Sequence, residues 1–246
     1  MNSGMYSALS GNLSAMMRME VISNNLANIN TLGYKRDKIS FESVLAGSMN
    51  PPAVPQSTTA DPITVTERVS IDYAAGMMSR TGNSLDMAID GDGFFTVSGP
   101  DGPAYTRQGN FRLNADGTLV TVDGLPVIGQ GGEIRIRGSQ IEIGAKGDIV
   151  VDGTKVDTLK IVDFPKPYNL NKIGSALFVP ADPQTTPQAV PQNTMVRHEH
   201  LEASNVDPIS EMVQLIDVSR YFDSCQRVIL GFDGMANKAA NELGKI

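Results

Sequence analysis

The chain has 246 residues, of which 41% are hydrophobic and 6% aromatic, so a core is possible but must be mainly aliphatic and methionine-rich. Its formal net charge of −7 excludes nucleic acid as the main partner, because phosphate binding requires clustered Lys and Arg side chains. The single cysteine, Cys225, excludes an intrachain disulfide framework and a cysteine-rich zinc site.

The N-terminal segment has the apolar spacing of an amphipathic helix. Small and apolar side chains recur at intervals of three and four residues, which is the heptad pattern of a helix that packs along one stripe. Gly33 follows them and is suited to end the helix in a left-handed conformation. The pattern predicts an assembly interface formed by Met5, Ala8, Ala15, Met19, Ile22, Leu26 and Ile29.

This predicted helix carries few charges and many amides. In its first thirty residues the only charged side chains are Arg18 and Glu20, whereas a helix with one face in water normally has a charged outer face. Asparagine is a poor residue for a helix interior, so its recurrence needs compensation. We expect Asn24, Asn25 and Asn28 to form a polar stripe that packs against copies or relatives of the chain, since buried amides cost less than buried charges.

The middle of the chain has a different composition. Between Gly76 and Gly174 lie 17 of the 24 glycines, and short runs of alternating apolar residues replace the helical spacing. Asp-Gly pairs separate these runs, which is typical of antiparallel strands joined by tight turns. We therefore predict an extended linker over 36–75, a central antiparallel all-β domain over 76–180 and a proline-rich return linker over 181–200.

The C-terminal segment again has helical spacing, and we assign 1–35 and 201–246 to a terminal helical assembly domain. Asp207 and Pro208 are a predicted N-cap and first helical residue. The predicted interface residues of this helix are Leu215, Val218, Phe222, Cys225, Ile229 and Phe232. The predicted fold class is α+β, with long N- and C-terminal helices forming a coiled-coil-like core domain and a central antiparallel all-β domain.

Candidate sites for chemistry are weak. The stretch DGDG at 90–93 begins like a calcium loop, but Phe94 stands where the next oxygen ligand should be. His198, His200 and Glu202 suggest a metal cluster, yet the chain has no third histidine to complete one. The sequence therefore predicts no catalytic, cofactor-binding or metal-binding residues and no enzymatic activity.

The sequence also predicts that the chain does not insert into a membrane. No stretch approaches the roughly 18 apolar residues that a transmembrane helix requires. The N-terminus lacks the basic region and the unbroken apolar block of a conventional cleaved signal peptide. We expect neither direct membrane insertion nor cleavage of such a peptide.

Three motifs, in this order, resemble the flagellar rod and hook protein family. The family's N-terminal motif is similar to NNLANINTLGYKR at 24–36. Its central β-domain motif is similar to TGNSLDMAIDGDGFFTV at 81–97 with YTRQGNFRLNADGTLVTVDGLPVIG at 105–129. Its C-terminal motif is similar to LEASNVDPISEMVQLIDVSRYFDSCQRVI at 201–229, although the run at 219–223 departs from the usual family pattern.

The resemblance implies a structural axial subunit of the bacterial flagellar basal-body rod, which polymerises through its terminal helices and needs no cofactor. The implied partners are other flagellar rod proteins, copies of the chain itself in a helical array, and the flagellar type III export apparatus. The implied location is the rod in the periplasmic space, reached without a cleaved signal peptide. NSGMYSALSG and GLPVIGQGG resemble the proximal-rod subunit more than its distal-rod paralogue, which is the alternative.

A protein of another class fits the same pattern. This would be a secreted β-domain binding protein or enzyme with an oligomerisation stalk. It would need a concave site with convergent polar groups on the β domain. Acidic residues are plentiful enough that a glycosidase-like pair of carboxylates stays open.

Overall fold

The structure, a computed structural model, describes residues 2–43 and 65–243. Its contacts divide the chain into a helical unit and a β unit. The helical unit consists of the described parts of Met1–Leu26, Asp37–Asp72 and Pro208–Ile246, and the β unit consists of Ala27–Arg36 and Tyr73–Asp207. Within the described residues, no helix is long and apolar enough to cross a membrane.

The helical unit contains two helices and one β-hairpin. The helix α1 is Asn2–Ala27 and the helix α2 is Pro208–Leu243. The hairpin pairs β1 (Asp37–Ser43) with β2 (Val65–Ile71) in antiparallel register from Asp37 opposite Ile71 to Ser43 opposite Val65. Of the predicted linker over 36–75, the described residues include this hairpin, and 44–64 lie outside them.

α1 ends before the apolar spacing does. Its last residue is Ala27, and the chain then turns, with the Thr31 N–H donating to the Asn28 carbonyl at 3.1 Å. Gly33 has a φ of 65°, a conformation that is unfavourable for residues with a side chain. Ile29, predicted as a helical interface residue, therefore lies beyond the helix.

The prediction that the terminal helices form a coiled-coil-like core domain is wrong. Within the described residues the chain has just these two helices beside a large β-rich middle, and the helices do not build an extensive coiled coil. Large apolar side chains of α1 stay open, with Met5 42%, Leu9 45% and Leu13 56% exposed. The physical reason is that one helix can cover only one stripe of another, and α1 carries apolar residues on more than one side.

The β unit consists of short strands whose pairings are all antiparallel within the described residues. In chain order they are β3 (Met78–Arg80), β4 (Met87–Asp90), β5 (Phe94–Gly99), β6 (Gly102–Thr106), β7 (Arg112–Leu113), β8 (Leu119–Val120), β9 (Ile141–Ile143), β10 (Asp148–Val151), β11 (Thr154–Thr158), β12 (Ile161–Asp163), β13 (Leu170–Ile173), β14 (Leu177–Pro180), β15 (Gln188–Ala189), β16 (Met195–His198) and β17 (His200–Glu202).

The strands form several small sheets. The largest has the order β13-β14-β6-β5-β12-β15, and a second has the order β11-β10-β9. The remaining pairs are β16 with β4, β17 with β3 and β7 with β8. The predicted return linker over 181–200 thus contains β15 and β16, and β16 and β17 pair with the earliest strands of the unit.

The core of the β unit is largely aliphatic. Successive side chains of an extended segment point to opposite sides, so Ile134 and Ile136 are buried while Arg135 between them is exposed. The Phe95 and Phe111 rings meet edge to face with their centroids 5.2 Å apart. The buried cluster consists of Met87, Ile89, Phe95, Val97, Ala104, Phe111, Leu119, Val127, Ile134, Ile136, Ile143, Ile149, Val151, Leu159 and Val196.

Candidate assembly interface

The two terminal helices lie antiparallel within the helical unit. A Cβ atom placed on Gly11 of α1 would lie 3.1 Å from Cys225 Sγ of α2. Further along α1, the Asn25 side-chain amide donates to Glu211 Oε2 at 3.3 Å. Since rising residue numbers on α1 meet falling numbers on α2, the two helices run in opposite directions.

A stripe of small residues on α1 allows this approach. Ala8 and Ala15 are 8% and 0% exposed. A Cβ atom at Gly4 would lie 2.9 Å from the Phe232 ring, which is closer than real Cβ atoms come. Gly4, Ala8, Gly11 and Ala15, spaced by four, three and four residues, therefore form a pairing stripe that receives side chains of α2.

The predicted interface residues differ in burial. Four are buried, namely Ala8, Ala15, Ile22 and Cys225. Eight are half-buried, namely Met19, Leu26, Ile29, Leu215, Val218, Phe222, Ile229 and Phe232. Met5 is exposed. The pairing stripe shares Ala8 and Ala15 with the predicted interface, and it adds Gly4 and Gly11, which the heptad pattern did not include.

α1 has a second apolar face, which we call the outer face of α1. An α-helix has 3.6 residues per turn, so Leu13, nine residues after Gly4, lies about two and a half turns away and on the opposite side of the helix from the pairing stripe. The side chains of this face are between 45% and 62% exposed. They are Tyr6, Leu9, Leu13, Met16 and Met17.

α2 has an equivalent outer face near its start. Ile209 precedes the half-buried Val218 by nine residues, so the two side chains point to opposite sides of the helix. The outer face of α2 consists of residues that are 47% to 70% exposed, namely Ile209, Met212, Val213 and Ile216. Soluble monomers rarely expose contiguous apolar faces of this kind, which usually mark interaction surfaces.

The asparagines at the end of α1 have several different environments. Asn25 is 1% exposed, and it donates to the Asp37 carbonyl at 2.9 Å and accepts from the Asp37 N–H at 2.8 Å. Asn28 Oδ1 accepts from Thr31 Oγ1 at 3.1 Å in the turn that follows α1. Asn24 is exposed on α1. The Asn25 and Asn28 amides therefore form hydrogen bonds within the chain, and packing of the polar stripe against other subunits stays a prediction.

The carboxylates of the DGDG stretch bind cationic side chains of the same unit. Asp90 Oδ2 lies 2.8 Å from Arg197 Nη2, and Asp92 Oδ2 lies 2.7 Å from Lys166 Nζ. Gly91 and Gly93 have φ angles of 115° and 124°, so their role is to form the turn between β4 and β5.

The histidines considered as metal ligands contact backbone carbonyls. His198 Nε2 lies 2.9 Å from the Ser84 carbonyl oxygen, and His200 Nδ1 lies 2.6 Å from that of His198. Across 2–43 and 65–243, no three His, Cys, Asp or Glu side chains are placed to hold a metal ion.

Sequence reasoning missed the role of Glu202, which it considered only as a metal ligand. The Glu202 carboxylate is buried, with Oε1 2.5 Å from Lys35 Nζ and Oε2 3.5 Å from Arg107 Nη1. Lys35 and Glu202 are 167 residues apart in the sequence. No local pattern links residues at that separation, so the sequence held no signal for this pair.

Three family descriptions match the chain in order. "Flagella basal body rod protein" matches residues 5–35, and "Flagellar hook protein FlgE/F/G D1 domain" matches residues 88–151. "Flagellar basal body rod FlgEFG protein C-terminal" matches residues 197–243. The three matches fall on the regions whose motifs carry the resemblance, and that resemblance is confirmed.

Similar full-length proteins extend the match across the whole chain. The chain is 34% identical over 249 residues to the flagellar basal-body rod protein FlgF of Rhizobium meliloti (strain 1021), with 99% of each chain covered. It is 33% identical over 259 residues to FlgG of Bacillus subtilis (strain 168), covering 96% of this chain and 97% of that protein. It is 30% identical over 249 residues to FlgF of Caulobacter vibrioides (strain ATCC 19089 / CIP 103742 / CB 15), with 100% of both covered.

Proposed function

The chain belongs to the flagellar basal-body rod protein family, and on this premise we propose that it forms the proximal part of the rod by polymerising through its terminal helices. As a member of this family it is a structural subunit of the basal-body rod and not an enzyme. It assembles there with other rod proteins and with copies of itself.

The outer faces of the two helices are the observation that carries the assembly proposal. α1 and α2 cover one side of each other and leave Tyr6, Leu9 and Leu13 exposed on α1 and Ile209 and Ile216 exposed on α2. Burial of apolar surface is the main favourable term in protein association. A neighbouring subunit that covered these faces would therefore stabilise the array.

The shortage of charge on α1 supports the same proposal. Only Arg18 and Glu20 are charged in the helix, and Glu20 lies beyond Met17, the last residue of the outer face of α1, although on the same side of the helix. Removing a charged side chain from water is costly unless it is paired, whereas a serine or asparagine can be buried with its hydrogen bonds satisfied. α1 can therefore be surrounded by other helices at low desolvation cost.

Heterologous contacts between identical subunits produce an open helical array when the rotation does not close. The outer faces of α1 and α2 differ in sequence and length, so contact of one with the other in the next subunit would be heterologous. A stack of this kind suits a rod, and Asn24, the member of the predicted polar stripe that is exposed on α1, would line part of the same contact. In this proposal the predicted interface residues pair α1 with α2, and the outer faces make the contacts between subunits.

The experiment that tests the assembly surface replaces Leu13 by Asp. Leu13 is 56% exposed in the single chain, so Leu13→Asp is expected to leave the purified protein folded while placing a charge in the contact. We expect loss of motility and loss of the variant from isolated basal bodies, with an unchanged circular dichroism spectrum. Normal incorporation of the variant would contradict the proposal.

Ser7→Asp is the matched control, because Ser7 is exposed on α1, lies about 120° around the helix from Leu13, and takes the same added charge outside the outer face. We expect this variant to assemble. If both variants failed to the same extent, any added charge on α1 would suffice, and the assignment of the outer face would be wrong.

The proximal position rests on the resemblance of NSGMYSALSG and GLPVIGQGG to the proximal-rod subunit. The distal-rod paralogue is the alternative, because both FlgF and FlgG proteins match nearly the whole chain. A photo-crosslinking residue at position 13 should capture other rod proteins. Capture of hook subunits would contradict the proximal position and favour the distal one.

We also propose export through the flagellar type III apparatus, across to the periplasmic rod, without cleavage of a signal peptide. The mass of the protein recovered from basal bodies should then match the whole chain apart from removal of the initiator methionine. Loss of a longer N-terminal piece would contradict this route.

A further inference from the structure

Three segments of the β unit lead directly into the helical unit. The segment 27–36 connects to it at both ends, the segment beginning at Tyr73 follows β2, and the segment ending at Asp207 precedes α2. All three segments belong to the β unit, and they meet around the Glu202 side chain.

Glu202 binds the first two segments through its carboxylate and its own carbonyl. Glu202 Oε1 accepts from Lys35 Nζ at 2.5 Å and from the Gly76 N–H at 2.9 Å. The Glu202 carbonyl accepts from the Gly33 N–H at 2.8 Å. Lys35 Nζ also donates to the Ala74 carbonyl at 2.8 Å, so the first segment is tied to the second as well as to Glu202.

Asn205 makes a second set of ties between the same segments. Its Oδ1 accepts from the Arg36 N–H at 2.8 Å, and its Nδ2 donates to the Ala74 carbonyl at 3.0 Å. The Ala203 N–H donates to the Met77 carbonyl at 2.9 Å. Each segment is therefore bound to both of the others.

The close packing around Lys35 and Glu202 leaves little room for these segments to rearrange. The Lys35 and Glu202 side chains are 1% and 0% exposed. A Cβ atom at Gly76 would overlap the Ala203 carbonyl, and one at Gly33 would overlap the Arg107 backbone. Arg107 fixes the second carboxylate oxygen, and its Nη2 also donates to the Gly91 carbonyl at 2.8 Å.

We propose that Glu202 is the centre of a clasp, by which we mean the contacts of Glu202 and Asn205 that join the three connecting segments. The clasp makes the three segments move together and not independently of one another. A buried ion pair adds little net stability compared with an apolar contact, but loss of one partner leaves an uncompensated buried charge. The clasp therefore fixes the register of the segments and fails when any one of its charges is removed. This inference rests on contacts within the β unit and is independent of the function proposed above.

The test is Glu202→Gln, read by amide hydrogen exchange on the purified full chain. We expect exchange to become at least about tenfold faster at the Gly33, Arg36 and Gly76 amides, because their local opening no longer breaks the ion pair. Exchange at the Val127 amide, which donates to the Leu119 carbonyl inside the core, should stay unchanged. An unchanged pattern at the first three amides would overturn the proposal, and so would equal acceleration throughout the β unit.

Glu199→Gln is the matched control, because Glu199 also pairs with a cation, with Arg80 Nη2 2.6 Å away, but outside the clasp and with the Arg80 side chain 72% exposed. It should leave all four amides unchanged. If Glu202→Gln does not fold, Asn205→Ala provides the test, since it removes two ties without leaving a buried charge. It should accelerate exchange at Arg36, and normal protection there would overturn the proposal.

Discussion

The Asn25 side chain pairs with the Asp37 backbone as one strand residue pairs with another. The amide donates to the Asp37 carbonyl at 2.9 Å, and the amide oxygen accepts from the Asp37 N–H at 2.8 Å. Asn25 also donates to Glu211 Oε2 at 3.3 Å. One asparagine thus links the end of α1, the start of β1 and the first turn of α2.

Asn25→Ala should destabilise the helical unit by about 1–3 kcal/mol, because it removes two hydrogen bonds from the partly buried backbone of Asp37. Asn25→Asp should be worse, since a carboxylate there would face Glu211 and could not donate to the carbonyl. Urea unfolding followed by circular dichroism measures the change. Asn24→Ala, on the exposed side of α1, is the control, and equal destabilisation by Asn24→Ala would contradict this role.

Gly11→Leu should separate the two helices. The first side-chain atom would already lie 2.8 Å from Tyr221 Oη and 3.1 Å from Cys225 Sγ, and overpacking of this kind typically costs about 1–3 kcal/mol. The same change at Gly231 of α2 meets no atom within 4 Å and should stabilise the helix by up to about 1 kcal/mol. Thermal unfolding of both variants checks the opposite signs; a stabilised Gly11→Leu protein would show that the pairing stripe is not close-packed.

Leu119→Ala should destabilise the β unit by about 2–5 kcal/mol, since Leu119 is 0% exposed and its removal leaves a cavity in the core. Val122→Ala removes apolar atoms from a nearby side chain that is 48% exposed and should change stability by less than about 1 kcal/mol. Denaturant midpoints of the two variants give the comparison. Similar midpoints would mean that Leu119 is not part of a close-packed core.

The pKa of Asp148 should lie below its ordinary value of 3.8, chiefly because Lys155 donates a hydrogen bond to its carboxylate at 2.6 Å. A carboxyl group whose pKa is lowered by folding contributes stability above its unfolded pKa and loses that contribution as the pH falls through the folded pKa. The contribution is small because both side chains are partly exposed. It should therefore disappear only in acid, below about pH 4.

An NMR titration of the Asp148 carboxyl group measures this directly. Lys155→Gln should raise the pKa of Asp148 towards its ordinary value. Lys146→Gln is the control, because Lys146 acts only through a weaker charge interaction without a hydrogen bond. Equal shifts in the two variants would rule out the hydrogen bond as the main cause.

Local patterns were sufficient for several elements. Apolar spacing and Pro208 indicated the start of α2, and alternation of apolar residues indicated the short antiparallel strands of the β unit, because helix and strand periodicity act over a few residues. The same spacing wrongly predicted that α1 takes part in a coiled-coil-like core. Small residues lie on one side of α1 and large apolar residues on the other, and spacing does not say which side a partner helix will cover.

The sequence by itself determined the family, a helix at each end and a glycine-punctuated strand region between them, since motifs, periodicity and turn residues are local properties. Tertiary structure decided which face of α1 meets α2, because that depends on whether Phe232 and Tyr221 fit against Gly4 and Gly11. It also decided that Glu202 forms a buried ion pair with Lys35. Such partners are separated by more than a hundred residues, and only the folded chain brings them within a hydrogen-bond distance.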